Sequence, residues 1–248
     1  MKIKKILGVV ALAVLVASMC VGIVACTNAK KVKGAEYISE SSWKETFEWF
    51  AFEEVEFTLK YYSKSTAQYE HDTMIHKTKW TATSTEEYTY ARKNLLESKI
   101  GYSKIAYKGD KDSAASTCGK KAGKTPVEKY VEILHNGQYA NYERVNGEFK
   151  YSDGYTINQD LAFITSVKNS YESFEYSKEY KGYIAKGYKE GNALTVYKFN
   201  DDGRLIAIYM YSENYQEVSN VQEYTCTTVK TETHIVIEYS AKDIKIPA

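Results

Sequence analysis

Four histidines, four cysteines and scattered acids are the residues of this 248-residue chain that could do chemistry. His71 and His76 stand five apart, whereas two ligands on one strand face must be an even number of residues apart. His135 and His234 stand alone, so each histidine reads as a surface strand residue. Asp110 and Asp112 begin like a calcium loop, but no glycine or distal glutamate completes it, so no metal is expected there. A Gly-x-Ser-x-Gly elbow and a His-Glu-x-x-His helix are missing, as is a phosphate-cradling glycine loop. The carboxylates of a glycosidase need only meet in space, but the acids here sit among lysines, as on a solvated face. The expectation is a non-enzyme without cofactor or metal. Cys118 and Cys226 form a disulfide if an oxidising compartment and close Cα atoms allow it; with no Cys-x-x-Cys and no adjacent histidine, a metal or redox pair is not expected. Cys26 is different, because its thiol closes the apolar run 6–24.

The elements that would position such groups are signalled by composition. Tyr occurs 24 times and Pro twice. Tyr suits a half-buried pleated surface, burying its ring while its hydroxyl meets water. A Tyr-rich, Pro-poor chain points to extensive sheet, and an aromatic-lined groove is the functional form of the same property. Without Lys2, Lys4 and Lys5 of the leader, 30 basic residues face 32 acidic ones. That balance argues against a nucleic-acid surface, which would need clustered Lys and Arg.

The first 26 residues carry a charged start, an apolar core and a small residue before a cysteine, the pattern of a secretory signal. Ile23-Val24-Ala25-Cys26 resembles the lipobox of bacterial lipoproteins. That resemblance implies cleavage before Cys26, acylation of its thiol and an extracytoplasmic, lipid-anchored protein. The lysine bias fits a Gram-positive-type bacterium. An uncleaved membrane helix is the other reading of the run 6–24. Two or more acyl chains would anchor the chain stably. The expected organisation is a signal peptide over 1–25, an acylated cysteine and flexible tether over 26–40, and one β-rich domain over 41–248.

Along that domain, Ser42-x-x-Glu45 reads as a capping box, and Trp43, Phe47 and Phe50 follow at helical spacing. From 53 the period becomes two, with Val55, Phe57, Leu59 and Tyr61 on one face. Extended segments are expected over 69–83, 87–92 and 99–108, and a mobile loop over 109–125. His135-Asn136-Gly137 and Asn146-Gly147 mark hairpin turns joining strands over 127–134, 138–144 and 148–152. A helix from 156 to about 173 places Ile157, Leu161, Ile164, Val167, Tyr171 and Phe174 on one stripe. Strands resume over 175–189, 194–199, 205–211, 218–229 and 233–239.

The fold class is therefore mainly β (α+β): a strongly curved antiparallel sheet or half-barrel covered by one or two helices. The segment VEILHNGQYANYERVNGEFKYSD, the helix after it and the hairpin ALTVYKFNDDGRLIAIYMY resemble small lipoproteins of the LolA/LppX-like group. That resemblance implies helices covering the concave side of a half-barrel, an apolar cavity between, and an acyl-bearing ligand. Trp43, Phe47, Leu161, Ile164, Val167 and Tyr171 would line the cavity, or else form a closed core. Two functions follow: a membrane-anchored lipoprotein binding a lipid or other apolar ligand, or a Tyr-rich surface module for adhesion or assembly.

Overall fold

A computed structural model describes residues 30, 32–52, 54–73, 76–134, 139–153, 162–219 and 223–246. The signal peptide, Cys26, Leu161 and the turn at 135–137 lie outside the described residues.

Eleven antiparallel strands form one sheet in the order β6-β5-β4-β3-β2-β1-β11-β10-β9-β8-β7. They are β1 (Phe57–Thr73), β2 (Lys77–Lys93), β3 (Leu96–Gly109), β4 (Gly123–Ile133), β5 (Tyr139–Val145), β6 (Glu148–Asp153), β7 (Phe174–Ser177), β8 (Gly182–Ala185), β9 (Leu194–Phe199), β10 (Leu205–Ser219) and β11 (Glu223–Glu238). Two runs of neighbouring strands are joined where β1 pairs with β11. β6 and β7 end up at opposite edges, so the sheet stays open. Mainly antiparallel β structure with covering helices is as the sequence leads one to expect.

Curvature follows from the packing. Helix α1 (Glu40–Trp49) shares one apolar cluster with residues from Val131 in β4 round to Phe174 in β7. A flat sheet of that width would measure roughly 40 Å at ~4.8 Å per strand, against about 10 Å for a helix with its side chains. The strands must curl around α1 for all of them to reach it.

Several elements depart from the expected boundaries. Ser39 caps α1 in place of Ser42, its hydroxyl accepting from the Ser42 amide at 3.0 Å. The extended segment 69–83 is two strand ends either side of a hairpin, with Tyr69 opposite Trp80. The segment 175–189 is likewise divided, into β7 and β8.

The loop expected over 109–125 contains helix α2 (Lys111–Cys118). The Asp110 carboxylate accepts from the Ser113 amide and hydroxyl, and Gly119 ends the helix at φ 63°. Asp110 is thus a cap, and the Asp-x-Asp pair has a local structural use. The helix expected through 173 is, in the described part, α3 (Ala162–Thr165) and a separate 3-10 turn at Tyr171–Ser173. After Thr165 the amides of Lys168, Ser170 and Ser173 bond three residues back. Ser166, Asn169 and Ser170 there favour turns over continued helix. Asn146 and Gly147 supply the two positive φ angles of the β5–β6 turn, as a tight hairpin requires.

Candidate functional site

The expected ligand space under α1 is filled with rings. Trp43 and Phe47 are completely buried, their ring centroids 4.9 Å apart. Phe174, Phe199, Tyr197, Tyr171 and Tyr183 surround Trp43 at 5.0 to 6.0 Å. Ile164 is fully buried in the same cluster, with Val167 and Tyr171 packed at its margin. The polar ends are satisfied: Trp43 Nε1 donates to the Val167 carbonyl at 2.9 Å, and the Tyr171 hydroxyl donates to the Ile38 carbonyl at 3.0 Å. The structure thus brings five of the six expected lining residues together in one packed apolar cluster.

A polar island lies beside this core. Arg92 and Glu97 are buried, with Arg92 Nε donating to Glu97 Oε1 at 2.8 Å and NH1 donating to the Phe52 carbonyl at 2.7 Å. Glu97 Oε2 has no hydrogen-bond partner among the described residues. Burial pushes the neighbouring Tyr90 phenol well up.

The opposite, outer face holds groups that sequence reasoning misplaced or missed. His234, expected at the surface, is only 5% exposed, because the Tyr62 and Tyr209 rings flank it. Its Nε2 lies 3.0 Å from Glu232, and Nδ1 has no partner among the described residues. Burial lowers its pKa, against the opposing pull of Glu232. Lys198 alternates with the core residues Tyr197 and Phe199, yet is 1% exposed. Its ammonium donates to the carbonyls of Lys30 and Val32 at 2.8 and 2.6 Å. Burial, with Lys181 nearby, brings its pKa down to about 8.

The reason Lys198 is covered corrects the expected tether. Residues 32–39 dock on the fold: the Gly34 amide donates to Lys181 O, the Ala35 amide to Phe199 O, and Ile38 enters the core. A Cβ on Gly34 would meet Lys181 O at 3.0 Å and Lys198 Cα at 3.3 Å, so only glycine fits easily at this crossing. This strap runs from the outer face, at Lys198, to the inner face, at α1. Its lysines and glycine read as linker in sequence, because the carbonyl contacts that hold it involve no side chain of its own.

The two cysteines are free thiols. Cys226 registers with Glu70 and Glu217 on the outer face. Cys118 ends α2, which packs Ala114 against Trp80 and Ala82 on the inner face. The disulfide expected between them is not formed, and the sheet stands between the two thiols.

Beyond α1 the long strands form a polar blade. Tyr211 is the last residue of β10 paired with β9, so 212–219 is an edge with no further strand beside it among the described residues, and 213–219 are all exposed. This edge contains no Pro, Lys or Arg, and its only charges are Glu213 and Glu217. The outer edge of β4, by contrast, carries Lys124 and Pro126. An open cleft of about 350 Å³ between α1 and the β9–β10 turn is lined by Glu45, Asp202, Arg204 and Tyr239 among others. Among the described residues no group of three His, Cys, Asp or Glu could hold a metal.

No family model and no curated protein matches this chain. Among solved structures, the Neisserial surface protein A aligns over 71% of this chain and 96% of its own, at 8% identity and a TM-score of 0.18. A domain described as an outer membrane lipoprotein-sorting protein, from Vibrio parahaemolyticus, aligns over 87% of this chain and 96% of its own, at 9% identity and a TM-score of 0.21. Scores this low do not establish a shared fold.

Proposed function

We propose that this chain is an extracytoplasmic, membrane-anchored interaction module rather than an enzyme or a lipid carrier. The lipobox at Cys26 supports the anchor. The observation that carries the choice is the ring packing between α1 and the sheet, where Trp43 is fully buried against Phe174 and Phe199 among the described residues. The working surface is the blade, whose open β10 edge offers backbone donors and acceptors to an added strand. Alternating Tyr211, Glu213, Tyr215 and Glu217 beside that edge favour an extended segment with basic side chains.

Two measurements test this. Native mass spectrometry should give a clean protein mass apart from the acyl groups on Cys26, with no uptake of a fluorescent fatty acid; a co-purifying lipid would restore the carrier. A photo-crosslinking residue at position 215 should give a discrete adduct in intact cells, and one at the exposed position 143 none. Equal labelling from both positions would remove the edge as the working surface. Replacing Cys26→Ala should abolish palmitate incorporation.

A further inference from the structure

We propose that the outer face beside the strap is a second membrane contact, so that the folded domain itself lies against the lipid headgroups. This rests on acylation of Cys26 and adds a defined orientation to it. The reach of the chain is the first argument. Lys30 is already docked, its carbonyl held by Lys198, and four peptide links, through Thr27, Asn28 and Ala29, join it to Cys26. Fully extended, they span at most about 14 Å. The expected 26–40 tether is therefore only the three residues 27–29 where it matters, and the outer face near Lys198 and Tyr209 is confined close to the bilayer.

The chemistry of that face is the second argument. Ile184, Leu194, Val196 and Tyr209 form a separate buried cluster there, and half-buried Tyr180, Tyr188 and Tyr211 cover it. Rings that bury one side and leave a hydroxyl at the surface suit the headgroup zone. Lys33, Lys181, Lys186 and Lys189 surround them and are exposed. None makes an ion pair among the described residues, although Glu179 and Glu190 are neighbours in sequence. Three lysines of the blade differ: Lys77 and Lys79 are both paired with Glu70, and Lys230 with Glu213. Uncommitted cations beside an acyl anchor are placed to meet anionic phospholipid, each attracted by about 1 kcal/mol near such a surface. One occupant, an anionic lipid surface, accounts for the short reach, the tyrosine cover and the free lysines together.

The test uses the lipidated full chain in vesicles of phosphatidylcholine with 30% phosphatidylglycerol, and in phosphatidylcholine alone (compositions chosen as about physiological charge). Hydrogen exchange at 178–190 should slow several-fold on the anionic vesicles and hardly at all on the neutral ones, while 65–73 in the blade keeps one rate throughout. The triple variant K181E/K186E/K189E should lose this protection while palmitate labelling of Cys26 stays intact. Lipidated protein whose 178–190 amides exchange equally on both vesicles overturns the contact but leaves the anchor standing. An unlabelled Cys26 overturns both.

Discussion

Near α1, β1 turns Phe57, Leu59 and Tyr61 to the inner face; further along it turns Ser63, Ser65, Ala67 and Tyr69 to that same face. β11 repeats the change, from Ile237 and Ile235 to Thr233 and Thr231, and β2 repeats it from Tyr90 and Tyr88 to Glu86 and Ser84. The strands are continuous and the register is unbroken across the boundary. What differs is the covering element. Where α1 supplies Trp43, Phe47 and Phe50, apolar residues are buried from many strands at once. Where no described element covers the sheet, hydroxyls pair across strands, as Ser63 does with Thr233 at 2.9 Å and Thr231 with Ser65 at 3.1 Å. α2 is a smaller cover at the far end, over Trp80 and Ala82. A long strand in this molecule is thus stabilised by packing at one end and by ladder hydrogen bonds along the other. The packed end holds the fold, while the uncovered end keeps exposed surface and an open edge.

The largest effect that could break this contrast is at the centre of the packed end. Trp43→Ala should cost about 3–5 kcal/mol in urea unfolding, whereas Thr231→Ala should cost about 1 kcal/mol or less. Comparable losses would mean the blade contributes as much as the core. Next is the polar island. Arg92→Met leaves Glu97 buried and unpaired and should cost about 3–5 kcal/mol, while the double variant Arg92→Met/Glu97→Leu should recover most of that stability. A double variant as unstable as the single one would show that the pair positions the β2–β3 turn by more than charge balance. The smallest effect is on the outer face. Burial lowers the pKa of His234 in the fold below its unfolded value near 6.5. The unfolded chain then binds the proton more readily, so stability present at neutral pH is lost as the pH falls below about 6.5. Thermal unfolding from pH 7.5 to 5.5 should show this decline, and His234→Phe should flatten it. An unchanged slope would assign the decline to other groups.

Much of the fold is legible before any coordinates. The period-two run from 55 becomes β1 from Phe57, the hairpin of 194–199 and 205–211 becomes β9 and the start of β10, and Asn146-Gly147 becomes a hairpin turn, because these signals are local. The helix at 40–49 is likewise marked by Trp43, Phe47 and Phe50. Misplaced features have longer-range causes. Lys198 and His234 look like ordinary strand polar residues until the strap and the flanking tyrosines cover them. The loop over 109–125 is rich in Gly and Lys, and only the Asp110 cap and Ala114 burial against Trp80 make its first half helical. The 162–173 stretch has an apolar stripe, yet its residues reach α1 through turns, with Trp43 Nε1 taking the Val167 carbonyl.

By itself, the sequence determined the all-antiparallel sheet, the hairpin turns and the aromatic character of the core, since each depends on alternation and turn chemistry within a few residues. Only the tertiary structure decided which residues pack around Trp43, which face each thiol occupies, and how short the chain is between Cys26 and the docked strap. Those depend on how far the sheet curls around α1, and curvature is a sum over many strands that no single segment encodes.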